Sequence, residues 1–232
     1  MINNIIFDLD GTLVDSAAVC IEILNGMLAD RGSERIIPAD EAAAHLSRGG
    51  AHLMAALLGC ECGDPEEEIL EFRRRYVDRP TPQHSLFEGV RDGLVILRDL
   101  GFGLSICSNK PQNLCEKVLS DLELDFLFDA VVGGGEGLRP KPDTDLLELT
   151  LDSIGALPEH CIFVGDSELD QAVAQAFDMQ FRFVAYGYAD GSWDRNVIRS
   201  FDRFMDVVQS IVDENPAPRQ FGALNFRAAA AR

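Results

Sequence analysis

Positive charge is what this 232-residue chain has least of. Twenty Lys and Arg stand against 39 Asp and Glu, a formal net charge of −19, and only three of the cations are lysines, at positions 110, 117 and 141. A surface this acidic repels nucleic-acid backbone and anionic lipid alike, and the only basic cluster is Arg73-Arg74-Arg75 on a helical stretch. Neither nucleic acid nor membrane is therefore expected as a partner. Long hydrophobic runs are absent too: none approaches the roughly 18 apolar residues of a membrane-spanning helix. The opening Met1-Ile2-Asn3-Asn4 has no secretory pattern, so a cytoplasmic setting is expected. Histidine is sparse (His45, His52, His84, His160), and the six cysteines are scattered among hydrophobic neighbours. Cys60-Glu61-Cys62 has no second Cys/His pair at zinc spacing, so reduced structural thiols are expected. What remains, 47% hydrophobic and 25% charged residues, is ordinary globular composition; it excludes a disordered, collagen-like or disulfide-stapled chain.

Five short apolar runs rich in β-branched and aromatic residues predict strands: Ile5–Phe7, Leu104–Cys107, Ala130–Val132, Cys161–Val164 and Phe181–Ala185. Their hydrophobicity is continuous rather than alternating, which suits strands covered on both faces. Between the later runs lie helical patterns: Val90, Leu94 and Leu97 ending at Gly101; Leu114, Val118, Leu119 and Leu122 after Pro111; Leu146, Leu147, Thr150, Leu151 and Ile154 ending at Gly155. Alternating strand and helix predict an α/β fold with a doubly wound, Rossmann-like parallel sheet. Between the first two strands lies far more chain than a crossover of a dozen or so residues needs. That surplus reads as helices: a stripe of Val19, Ile23 and Met27; a second segment from Ala39 to Leu58; a third from Pro65 with Ile69, Phe72 and Tyr76. The expected organisation is a catalytic core at 1–14 and 86–214, a small all-α cap at 15–85, and a frayed tail at 215–232.

Polar clusters follow the strands. Asp8-Leu9-Asp10-Gly11-Thr12 comes after the first, Ser108-Asn109-Lys110 after the second, Lys141-Pro142-Asp143 after the third, and Gly165-Asp166-Ser167-Glu168-Leu169-Asp170 after the fourth. In an open parallel sheet the carboxyl ends of the strands share one edge, so these segments should converge in one crevice. Four carboxylates (Asp8, Asp10, Asp166, Asp170) in a confined space call for a cation, and hard oxygen ligands select Mg²⁺. Ser108, Asn109, Lys141, Thr12 and the backbone N–H groups from Leu9 to Thr12 are donors for a phosphoryl group. With no Cys, His or Ser–base pair beside that phosphate, the natural nucleophile is a carboxylate. Asp8, the first residue off its strand, is best placed to attack phosphorus, and Asp10, two residues on, can act as general acid and then base.

These residues resemble the four motifs of the haloacid dehalogenase superfamily: Asp8-x-Asp10-Gly11-Thr12, Ser108-Asn109, Lys141-Pro142 and Gly165-Asp166-Ser167-x-x-Asp170. Within it the chain looks like a phosphoglycolate phosphatase-type member, most closely from Gly101 to Trp193. The resemblance implies Asp8 as nucleophile, Asp10 as acid/base, and Mg²⁺ on Asp8, the Asp10 carbonyl and Asp166, with Asp170 as a supporting carboxylate. Ser108, Asn109 and Lys141 would hold the phosphoryl group of a small phosphorylated metabolite, and a helical cap would choose the substrate. Two departures stand out: Ala176-Phe177-Asp178-Met179 where relatives carry a glycine, and Asp143-Thr144 after Lys141-Pro142, where either residue could cap the following helix. In the cap, Arg48 within Ser47-Arg48-Gly49-Gly50 could bind a substrate carboxylate or second phosphate. A Schiff-base phosphonatase is excluded, because no lysine precedes Lys110. A β-phosphoglucomutase-like phosphomutase uses the same pair of aspartates and stays open. A receiver-like signalling module lacks so large an insertion, and a non-catalytic phosphometabolite-binding regulator would not need both Asp8 and Asp10.

Overall fold

The computed structural model describes residues 1–38, 45, 50–189, 193 and 199–215. Six parallel strands form one sheet: β1 (Asn4–Phe7), β2 (Gly103–Pro111), β3 (Ala130–Gly134), β4 (Cys161–Gly165), β5 (Gln180–Val184) and β6 (Ser200–Phe201). Their spatial order is β3-β2-β1-β4-β5-β6. The order reverses between β1 and β4, the switch point at which an open α/β sheet leaves a crevice. Register puts Phe7 level with Ile106 on one side and with Val164 on the other, so the residues that follow β1 and β4 leave the sheet together. Five of the strands coincide with the predicted runs. The sixth, a two-residue strand, goes beyond them, and β2 is longer than expected because Ser108, Asn109 and Lys110 lie within it, across a register shift between Cys107 and Pro111.

Alternation along each strand divides the core. Ile5, Phe7, Leu104, Ile106, Ile162 and Val164 face one side of the sheet, where they meet α4 (Val90–Asp99), α5 (Gln112–Asp121) and α8 (Phe204–Glu214). Ile6, Cys107, Val132 and Phe163 face the other, against α6 (Asp145–Ile154) and α7 (Glu168–Ala176). Burial on both faces is why these runs are continuously apolar. The chain leaves β1 and returns to the sheet side by side: Val14 bridges Leu86, Asp15 N–H donates to the Ser85 carbonyl at 2.7 Å, and Phe87 N–H donates to the Leu13 carbonyl at 3.1 Å.

Between those points stand α1 (Ala17–Asp30), α2 (Gly50–Leu58) and α3 (Pro65–Val77). Their stripes Val19/Ile23/Met27 and Ile69/Phe72/Tyr76 are buried, continuous with the first side of the core. Helix α3 starts at an Asp64 side-chain cap with Pro65 in its first turn, three glutamates following, and Arg74 and Arg75 in its last turn. The charges favour their ends of the helix dipole, and Pro65 suits a first turn in which an N–H has no helical acceptor. Much of the stretch from Ala39 to Gly49, Arg48 included, and the tail from Pro216 onward lie outside the described residues. Asp178 takes a left-handed φ of 52°, a conformation Asp tolerates better than most residues. Thr144 does hold the N-cap position of α6, but it does not cap: its hydroxyl donates to Glu148 Oε1 at 2.7 Å, while Asp143 pairs with Arg139. None of the described helices is long and apolar enough to cross a membrane.

Candidate active site

All four polar clusters meet at the carboxyl edge of the sheet. Carboxylate oxygens of Asp8, Asp166 and Asp170 lie within 4.8 Å of one another, and Lys141 sits beneath them with 2% of its side chain exposed. The Lys141 ammonium donates to the Cys107 carbonyl at 3.0 Å and to Asp170 Oδ1 at 2.5 Å, and it forms an ion pair with Asp8 Oδ1 at 3.2 Å. Burial alone would lower the Lys141 pKa, and the Asp170 and Asp8 carboxylates override it and hold the amine charged.

Asp8 follows β1 directly. Its backbone N–H donates to the Val164 carbonyl, and its Oδ1 accepts from the Leu9 N–H at 2.7 Å. Burial pushes its carboxyl up to about 6, against the pull of Lys141 and with the help of Asp170. Asp166, 1% exposed, is driven well above the usual carboxylate range by burial and by the neighbouring Asp170 and Asp8 charges. It accepts from the Tyr188 N–H at 2.7 Å and the Thr12 hydroxyl at 2.9 Å. Asp170 closes a capping box at the start of α7: Ser167 donates to Asp170 Oδ2 from its hydroxyl at 2.6 Å and its N–H at 3.1 Å. Both Asp170 oxygens are thus engaged within the protein.

A divalent cation fits this arrangement. Three clustered carboxylates against one ammonium leave two negative charges around one point, the donors are hard oxygens, and burial raises the pKa of Asp8 and of Asp166. Both Asp166 oxygens are engaged as well, Oδ1 by Thr12 and Oδ2 by Tyr188; a carboxylate oxygen has more than one lone pair, so each of the three can still offer one to a cation.

Other residues stand differently from their sequence-level expectation. The Asp10 carboxylate turns away from the three others and is held by the Ser16 hydroxyl and by Lys110, whose ammonium lies 3.0 and 3.1 Å from its two oxygens. Lys110 also donates to the Tyr76 hydroxyl at 3.2 Å and sits 4.3 Å from the centre of that ring. Thr12, expected among the phosphate donors, is fully buried with its hydroxyl donating to Asp166. Asn109 clamps the Lys141 backbone: its Oδ1 accepts from the Lys141 N–H at 2.7 Å and its Nδ2 donates to the Lys141 carbonyl at 3.2 Å. Ser108 is buried beside Asp8.

Lys110, Tyr76 and Ser16 are site residues beyond those singled out from sequence. For Lys110 a signal existed in its place beside Ser108-Asn109; for the other two none did. A cleft of about 100 Å³ opens over Asp8, Asp10, Ser108 and Asn109, walled by α3.

Comparison with known proteins agrees with this geometry. Residues 5–184 match the family model of haloacid dehalogenase-like hydrolases. The phosphoglycolate phosphatase, plasmid, of Cupriavidus necator is 33% identical over 189 residues, spanning 80% of this chain and 81% of that protein. The phosphoglycolate phosphatase of Aquifex aeolicus is 31% identical over 184 residues, 79% and 85% of the two chains. In fold, the crystal structure described as a predicted phosphoglycolate phosphatase from Haemophilus somnus 129pt superposes with a TM-score of 0.77 at 24% identity, covering 90% of this chain and 97% of that one. Motif spacing, sheet order and the carboxylate cluster therefore agree with the family match, and the chain belongs to the haloacid dehalogenase-like hydrolase family.

Proposed function

We propose that this protein is a Mg²⁺-dependent phosphatase that hydrolyses a small phosphate monoester through an aspartyl-phosphate on Asp8. The observation that carries the proposal is the convergence of Asp8, Asp166 and Asp170 around Lys141 at the switch point of the sheet. Relatives named phosphoglycolate phosphatase add support.

Asp8 attacks phosphorus in line: an Asp8 O–P bond forms, the ester P–O bond breaks, and the leaving alkoxide takes a proton from Asp10, which must enter this step carrying that proton and not as the anionic partner of Lys110. Water then attacks the acyl-phosphate, Asp10 recovers a proton from that water, and inorganic phosphate leaves with Asp8 regenerated. Lys141 holds Asp8 in place and offers positive charge to the phosphoryl oxygens, with Ser108 beside it. Asn109 contributes by fixing the Lys141 backbone. Mg²⁺, held by Asp8, Asp166 and the Asp10 carbonyl with Asp170 in support, would neutralise charge on the phosphoryl group. The helices of segment 15–85 act as the cap that closes over the leaving group. Six free cysteines, four of them buried, suit a reducing cytoplasm.

The test is phosphate release from a panel of small phosphomonoesters, with Mg²⁺ and with excess EDTA, by wild type and Asp8→Asn. Release by wild type with Mg²⁺ alone, and none by Asp8→Asn, is expected. Equal release by both proteins removes Asp8 from its role, and equal release with and without EDTA removes the metal.

A further inference from the structure

Three cations stand in or beneath the cleft over Asp8, and two are neutralised. Lys141 faces Asp8 and Asp170, and Lys110 faces Asp10. The third, Arg73, lines the cleft from α3 and has no ion pair or hydrogen-bond partner among the described residues. Its two neighbours differ: Arg74 and Arg75 both bind Glu71, and Arg75 reaches Asp30 as well.

Position makes the contrast meaningful. Ile69, Phe72, Arg73 and Tyr76 stand at i, i+3, i+4 and i+7 of α3, the spacing of a single helix face, and all four line the cleft. Arg73 thus takes an inward place on a stripe that is otherwise apolar. A half-buried guanidinium without an anion is costly in a chain that has acidic side chains to spare. Apart from Arg73 and the Tyr76 hydroxyl, which Lys110 holds, that wall is apolar (Leu53, Ile69, Phe72, Leu114) and offers little to the hydroxyls of a sugar. A planar fork facing a compact, largely apolar cleft is matched by a carboxylate, which it can grip bidentately.

We infer that Arg73 is the specificity-determining residue of this site, reading a carboxylate on the leaving group of a small phosphomonoester. The inference rests on the phosphatase activity proposed above. It differs from the expectation placed on Arg48, which lies outside the described residues.

The experiment compares 2-phosphoglycolate with ethyl phosphate, which carries a methyl where the other has its carboxylate, on wild type, Arg73→Met and Arg73→Lys. For Arg73→Met, kcat/KM on 2-phosphoglycolate should fall roughly 10- to 100-fold, mainly through KM, as expected for one charge-assisted hydrogen-bonded pair. On ethyl phosphate it should change less than about threefold. Arg73→Lys should recover part of the loss, since it keeps the charge and loses the fork. Both esters are assayed on the same preparation, so their ratio is insensitive to any unfolded fraction. An equal loss on both esters, or an unchanged kcat/KM for 2-phosphoglycolate, overturns the inference while leaving the phosphatase intact. If wild type releases phosphate from no phosphomonoester, the proposed function itself falls, and this inference with it.

Discussion

Asp166 is wedged between two glycines, and the wedge can be probed one physical effect at a time. A Cβ built on Gly187 would lie 2.3 Å from Asp166 Cβ, 2.4 Å from the Gly11 carbonyl oxygen and 2.5 Å from Asp166 Oδ2. One on Gly11 would lie 2.2 Å from Asp166 Oδ2 and 2.8 Å from the Tyr188 ring, and Gly11 has a φ of +83° besides. Gly32 shares the positive φ, +77°, but has nothing within 4 Å. Gly32→Ala therefore isolates the backbone effect, Gly187→Ala isolates the collision, and Gly11→Ala combines them.

The left-handed penalty for a Cβ is about 1 kcal/mol. To bring the Gly187 contact from 2.3 Å out to the 3.4 Å of ordinary van der Waals approach, Asp166 must retreat by about 1 Å. That displacement carries the Tyr188 N–H bond of 2.7 Å and the Thr12 bond of 2.9 Å beyond hydrogen-bonding range. Hydrogen bonds to a charged group contribute about 1.5 to 3 kcal/mol each, so losing both should cost Gly187→Ala at least about 3 kcal/mol of stability, before any overpacking that does not relax. Gly11→Ala should lose about 4 and Gly32→Ala about 1 kcal/mol. A 1 Å error at a carboxylate proposed to hold the metal should also cost roughly 100-fold in kcat/KM for Gly187→Ala, with none for Gly32→Ala. Urea denaturation monitored by circular dichroism, with phosphate release on the same samples, measures both. A Gly187→Ala protein as stable and as active as Gly32→Ala would refute the reasoning.

Lys141→Arg keeps the charge, but a planar guanidinium does not fit a buried point from which an ammonium donates to the Cys107 carbonyl and Asp170 while staying 3.2 Å from Asp8; kcat should fall at least about 100-fold in a steady-state assay. Lys110→Met removes the partner of Asp10, and kcat is expected to drop roughly 10- to 100-fold with a smaller change in KM, whereas Tyr76→Phe, losing one hydrogen bond, should lower stability by about 1 kcal/mol in urea. Glu68, whose carboxylate is held by Arg31 and by the Gly63 N–H, has its pKa lowered on folding. The stability it contributes is complete above the unfolded value of about 4.3 and is lost as pH falls through the folded one. The Tm difference between wild type and Glu68→Gln should accordingly hold constant from pH 6 to 8 and close below about pH 4.

Strands β1 and β4 were legible because burial on both faces leaves their apolar runs unbroken, and α3 because its cap, its Pro65 and its Ile69/Phe72/Tyr76 stripe all agree. Helix α8 also carries a readable stripe in Phe204, Val207, Val208 and Ile211, whereas the two residues of β6 hold no period at all. Within the site, the types of residue were legible and their directions were not. An asparagine after a strand serves equally as a phosphoryl donor or as a clamp on another backbone; only the arrival of Lys141 from 32 positions away decides for the clamp. Likewise the stripe of α3 buries Tyr76, but its hydroxyl meets Lys110 through a contact 34 positions long that no local pattern encodes. Thr12 faces Asp166 for the same reason, across 154 positions.

The scarcity of lysine acquires a physical sense at this site. Two of the three lysines in the chain, Lys110 and Lys141, lie here, each against aspartate, while among the described arginines Arg73 lines the cleft and others form pairs elsewhere, such as Arg74 with Glu71 and Arg139 with Asp145. A compact ammonium is a point charge that can serve several partners at once, as Lys141 does by donating to β2 and Asp170 and pairing with Asp8. It also sets the charge. Asp10 and Lys110 cancel, and the remaining group of Asp8, Asp166 and Asp170 with Lys141 keeps two negative charges. An arrangement without Lys141 would hold three, more than one divalent ion balances before an anionic phosphoryl group arrives. With it, the ion balances the carboxylates, and the donors that face the cleft remain available to the ester.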